Sequence, residues 1–88
     1  MNTYRFISDP GHGWLEVPLA EVVRLGLTNR ISRYSYQHKN MAYLEEDCDA
    51  ALFMEAKKNR GEPVKFEEVY QERTPIRTYR DFGGVFLS

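Results

Sequence analysis

Asp47-Cys48-Asp49-Ala50-Ala51-Leu52-Phe53-Met54-Glu55-Ala56-Lys57-Lys58-Asn59-Arg60-Gly61-Glu62-Pro63 reads as one helix with its start and stop written into it. Asp47 offers a side-chain acceptor for the free N–H groups of a first turn, and Asp49 adds negative charge there. Lys57, Lys58 and Arg60 put positive charge at the other end. Gly61 suits a left-handed cap, and Pro63 cannot continue the ladder. The spacing predicts a helix over 47–60. Its periodicity sets Cys48 with Leu52 on the buried side, so Cys48 reads as a core residue.

The flanking segments read as strands. Upstream, residues 32–36 alternate with Tyr34 and Tyr36 on one face, and residues 41–44 are apolar. Gln37-His38-Lys39-Asn40 between them fits a four-residue hairpin loop. Downstream, residues 64–70 alternate, but the apolar phase slips at Glu67-Glu68, which predicts a bulge. Arg73-Thr74-Pro75 reads as a turn, and residues 76–80 as a last strand with Arg77 and Tyr79 opposite Ile76. At the other end, residues 4–7 and 14–17 read as an antiparallel pair around Asp9-Pro10-Gly11-His12-Gly13. Pro18 then opens a short helix carrying Leu19, Val22 and Val23, closed by Gly26. Three hairpins and two helices predict a small α+β domain with an antiparallel sheet. The expectation is a single domain over 1–88, with 83–88, including Val85-Phe86-Leu87, as a flexible tail.

Eighty-eight residues suit one core, and 14% aromatic content supplies it without disulfides. A single cysteine fits a reducing cytoplasm, and the chain contains neither a leader pattern nor an apolar run of membrane-spanning length. A cytoplasmic protein, monomer or dimer, is expected, with no membrane partner. The net charge of −1 hides sorted segments. Five acids and no base lie between Asn40 and Lys57, while Arg30, Arg33 and Lys39 precede them and Arg73, Arg77 and Arg80 follow. Sorted charge bears on partners and on-rates more than on chemistry.

Chemistry-bearing motifs are sparse. Asp47-x-Asp49 opens like a calcium loop but lacks its glycine and its bidentate glutamate. His12 and His38 have no second ligand at zinc spacing. Cys48 beside carboxylates is a poor nucleophile, because they raise a thiol's pKa. Gly11-His12-Gly13 suits a tight turn or the close approach of a ligand, and is no nucleotide fingerprint. No catalytic residue, metal or cofactor is expected. Two surfaces remain as candidates. The acids Glu45, Glu46, Asp49 and Glu55 offer closely spaced negative charge to a basic groove on a larger protein. Alternatively Arg30, Arg33, Lys39, Arg77 and Arg80, interleaved with tyrosines, offer a nucleic-acid surface. Strand alternation favours Tyr34 and Tyr36 packing inward on the long helix, since a small sheet usually has one face covered.

Gly11-His12-Gly13-Trp14-Leu15-Glu16-Val17-Pro18, Ile31-Ser32-Arg33-Tyr34-Ser35-Tyr36, Tyr43-Leu44-Glu45-Glu46-Asp47-Cys48-Asp49-Ala50 and Pro75-Ile76-Arg77-Thr78-Tyr79 together resemble a set of short proteins carried by phages, prophages and plasmids. The resemblance implies a mobile-element setting. Small acidic-patched proteins in that setting are often inhibitors of host defence, anti-CRISPR proteins among them, which act on a nucleic-acid-handling host complex. The expected function is therefore a non-catalytic binding protein acting by occlusion or charge mimicry. The alternative is a nucleic-acid-binding accessory protein using the Arg/Tyr hairpin.

Overall fold

A computed structural model describes residues 2–82. Its elements are β1 (Asn2–Ser8), β2 (Gly13–Pro18), α1 (Leu19–Arg24), β3 (Tyr36–His38), β4 (Met41–Glu45), α2 (Asp49–Asn59), β5 (Val64–Tyr70), a 3-10 helix (Pro75–Thr78) and β6 (Arg80–Asp81). The α+β class is as expected. The described strands form one six-stranded sheet in the order β5-β1-β2-β4-β3-β6. It is mixed, because β5 lies parallel to β1 while the other pairs are antiparallel.

Two of the three expected hairpins are present, β1-β2 and β3-β4. The third is absent because α2 carries the chain back across the sheet and delivers β5 to the far edge beside β1, as parallel pairing requires. Pro75 begins a 3-10 helix where a last strand was expected, since its fixed φ suits a helical first turn and it has no N–H for a ladder. The Thr78 hydroxyl donates to the Pro75 carbonyl at 2.6 Å and holds that turn. The expected four-residue hairpin loop narrows to Lys39-Asn40, with Lys39 left-handed at φ 55°. Residues 83–88, including the expected tail, lie outside the described residues.

Both faces of the sheet are covered, against the expectation of one. On the first face α1 and α2 enclose Val17, Val22, Leu44 and Phe53, all fully buried. The Phe53 ring meets Tyr4 edge-on at 5.3 Å. On the second face the 3-10 helix inserts Ile76 among Ile7, Trp14 and Tyr43. These two covers explain the phase slip in β5. Its register runs unbroken from Asn2↔Val64 to Ser8↔Tyr70, so there is no bulge. Val64 packs on the helix-side core and Val69 on the second cluster, so the apolar positions change face where the cover changes face.

The helix begins one residue later than expected, because the cap falls at Cys48 and not at Asp47. Cys48 is the N-cap, no side chain caps the turn, and Asp47 lies outside it. The Asp47 N–H is instead taken by the Glu45 carboxylate, at 2.9 and 2.8 Å to its two oxygens. The C-terminal end is as expected: Lys57 and Lys58 occupy the last turn, and Gly61 is left-handed at φ 67°. Gly26 closes α1 in the same way, at φ 70°.

Candidate functional site

The two segments of opposite charge meet in space. A groove of about 430 Å³ is lined by His12, Trp14, Arg33, Tyr34, Tyr36, Glu45, Asp47, Cys48 and Arg77. It lies where β2 and β3 begin and β4 ends. The entrance to α2, the loop before β3 and the 3-10 helix close around it. Sorting by segment therefore becomes juxtaposition, and acid and base share one rim.

The floor is Trp14, 2% exposed, which touches the His12 and Tyr36 rings at centroid distances of 5.9 and 6.3 Å. The Arg77 guanidinium lies over its face at 5.4 Å, a favourable position for a cation on an indole. Arg77 is held there by Asp9, with two hydrogen bonds of 3.0 Å. The Asp9 carboxylate also accepts the N–H groups of Gly11 and His12, at 2.9 Å each, and so builds the turn. Arg77 first, then these N–H groups, keep the Asp9 carboxyl well below the usual carboxylate range. The room left by Gly13 is used internally. A Cβ there would meet the Phe6 ring at 2.8 Å and the Glu46 carboxylate at 3.0 Å.

The wall carrying Arg33 and Tyr34 is positioned by a residue expected at the surface. Asp49 is 1% exposed, so it does not belong to an acidic patch. Its carboxyl accepts the Ser32 N–H at 3.0 Å and the hydroxyls of Ser32 and Ser35. The buried Ser35 hydroxyl accepts the Glu45 N–H at 2.9 Å, which ties the loop to the end of β4. Arg33 and Tyr34 are thus the tip between two anchored serines. Serine hydroxyls engaged this way draw the backbone out of a ladder, so residues 32–35 form a loop instead of the expected strand. Tyr34 is 74% exposed, and Tyr36 packs beside Trp14 on the second face; neither lies on α2.

The remaining candidates disperse. Glu45 is half-buried, and Asp47 stands exposed at the groove. Glu46 points to the helix side, beside Phe6, Ala50, Met54, Phe66 and Glu68. Glu55 is exposed further along α2, at a depression shared with Ala51, Met54 and Lys58. Lys39 and Arg80 meet Gln37 and His38 at the tip of the β3-β4 hairpin, where the His38 ring stacks on Tyr79 at 4.1 Å. Arg30 is exposed before the Ser32 anchor. Cys48 is exposed, against the expectation of a core thiol, because α2 buries the face of Asp49, Ala50, Phe53 and Lys57, and Cys48 is its N-cap outside that face. Partial desolvation of the sulfur, then the Asp49 carboxyl beside it, raises its pKa, which disfavours the thiolate. Among the described residues no three His, Cys, Asp or Glu side chains cluster to hold a metal ion. No helix among the described residues is long and apolar enough to cross a membrane.

Trp14, His12 and the Asp9–Arg77 clamp were not singled out as a floor by the sequence. Gly11-His12-Gly13 beside Trp14 signalled the turn, and Arg77, expected on a basic surface, reaches it from 68 positions away. No protein-family model matches the chain, and no match is found among curated proteins or solved structures.

Proposed function

We propose that this chain is a non-catalytic binding protein that engages a larger protein partner at the entrance to α2. Exposed acids without a counter-ion carry this reading. Glu46 and Asp47 form no ion pair among the described residues, whereas Asp9, Glu16, Glu21 and Glu62 each bind an arginine or lysine. Tyr34 and Arg33 line the same groove as Asp47, and tyrosine and arginine are residue types that anchor protein interfaces. Unpaired acids steer encounter with a basic groove and raise the association rate at low salt. The resemblance to mobile-element proteins makes that partner a nucleic-acid-handling host complex, and the chain an inhibitor in the manner of anti-CRISPR proteins.

A nucleic-acid reading has one observation in its favour, the exposure of Tyr34 beside Arg33. Against it, Glu45 and Asp47 line the same groove and repel phosphate, and Arg77 is already neutralised by Asp9. The test is a pull-down from host lysate with the wild type, Glu46→Lys/Asp47→Lys and Arg33→Ala as parallel baits. The partner should be lost from the double variant and kept by Arg33→Ala. The reverse order refutes the acidic reading. Salt-sensitive retention of bare DNA or RNA in a mobility shift replaces it with the alternative.

A further inference from the structure

The outer edge of β5 ends the described sheet, and its seven residues lie along it without a partner strand among the described residues. The Gln71 N–H donates to the Ser8 carbonyl at 2.8 Å, which sets the alternation of the backbone. Odd-numbered residues of β5 turn their N–H and C=O toward β1. Val64, Phe66, Glu68 and Tyr70 turn theirs outward. Phe66 is 44% exposed and Tyr70 63%, so the edge is apolar as well as open. Such an edge is a template for another strand.

We propose that the occupant is a second copy of this chain, paired antiparallel through β5 on a two-fold axis at Phe66. Symmetry and charge select that register. A two-fold axis that pairs two edges antiparallel stands perpendicular to the joined sheet, so residues facing each other share a face and the axis passes through one residue position. Centring on Lys65 sets lysine against lysine, and centring on Glu67 or Glu68 sets glutamate against glutamate. Centring on Val69 leaves little of β5 overlapped. Centring on Phe66 sets the two Phe66 rings side by side and brings Lys65 opposite Glu67 of the second copy, twice. The outward groups of Phe66, and those of Val64 against Glu68 of the second copy, then exchange hydrogen bonds. Charges on an edge ordinarily deter pairing. Here they deter the wrong registers and complete one. The Phe66 rings extend the apolar groove formed by Phe6, Leu15, Ala50 and Met54, which a single copy leaves open.

Sedimentation velocity over a concentration series should show a reversible monomer–dimer equilibrium. Lys65→Glu or Glu67→Lys alone should weaken it about tenfold or more, since two attractive cross-strand pairs become repulsive. The double swap Lys65→Glu/Glu67→Lys should restore it. In a Cys48→Ala background, Phe66→Cys should form a disulfide-linked dimer on mild oxidation, because directly opposite hydrogen-bonded residues sit about 5.5 Å apart at Cα. A chain that stays monomeric at every concentration overturns the proposal. So does a dimer indifferent to the single swaps, or one that the double swap fails to rescue.

Discussion

Replacing Lys57 by Met removes one charge from the most buried ionic site and leaves the carbon stem in place. The Lys57 side chain is 1% exposed. Its ammonium donates to Glu21 at 2.8 Å and to Glu62 at 2.9 Å, and lies 5.5 Å from the centre of the Tyr4 ring. Breaking a buried pair by removing one partner costs about 3–5 kcal/mol, because the other charge is left uncompensated. Glu21 and Glu62 keep Arg24, at 2.9 and 2.7 Å, and Glu21 keeps the Tyr4 hydroxyl at 2.6 Å. That places the expected loss at the low end, about 3 kcal/mol. For a domain of this size the melting temperature should fall by about 12–24 °C. Urea unfolding followed by Trp14 fluorescence gives the same quantity as a lower midpoint at unchanged slope. Burial alone would raise the Glu21 carboxyl, but Lys57, Tyr4 and Arg24 hold it at about 2; Arg24 and Lys57 hold Glu62 at about 2. Both bind protons more readily in the unfolded chain, where the value is 4.5. Their contribution is complete above about pH 5 and is lost as pH falls toward 2. Lys57 is raised above its ordinary value, burial being outweighed by Glu21, Tyr4 and Glu62, so its contribution fails only in strong alkali. The acid-side slope should therefore be shallower in Lys57→Met. A loss below about 1 kcal/mol with an unchanged acid limb would refute the reasoning.

Asp49→Ala should cost about 2–4 kcal/mol, from four lost hydrogen bonds, the weakest from the Cys48 thiol, and the buried donors left behind. It should also speed amide exchange at Arg33 and Tyr34, whose loop it anchors. Gly13→Ala should cost about 1–3 kcal/mol by thermal melt, because its Cβ would sit 2.8 Å from the Phe6 ring. Asp47→Ala should change stability by less than about 0.5 kcal/mol, not the ~1 kcal/mol of a lost cap, since its side chain caps nothing. Native Cys48 should react slowly with a thiol reagent at neutral pH despite its exposure, and Cys48→Ala should fold normally.

Local chemistry was legible in the residues themselves. Pro18 and Gly26 bound α1, the dipole-ordered charges and Gly61 mark the end of α2, alternation marks β1 and β5, and the apolar run at 41–44 marks β4. Each of these signals acts within a few positions along the chain, so composition and spacing suffice to read it. The tertiary structure decided what depends on distant partners. Asp49 looked like a surface acid until the Ser32 and Ser35 hydroxyls met it, and Lys57 read only as dipole charge in the last turn of a helix until Glu21 and Glu62 enclosed it. Val64 and Val69 slip out of phase because helices cover one half of β5 and Ile76 belongs to the cover of the other. The groove joins Arg33, Asp47 and Arg77 from three separate segments. Pairwise attraction weakens with distance in space and is largely screened beyond about 8–10 Å, so which charges neutralise one another depends on that distance, and separation along the chain carries no record of it.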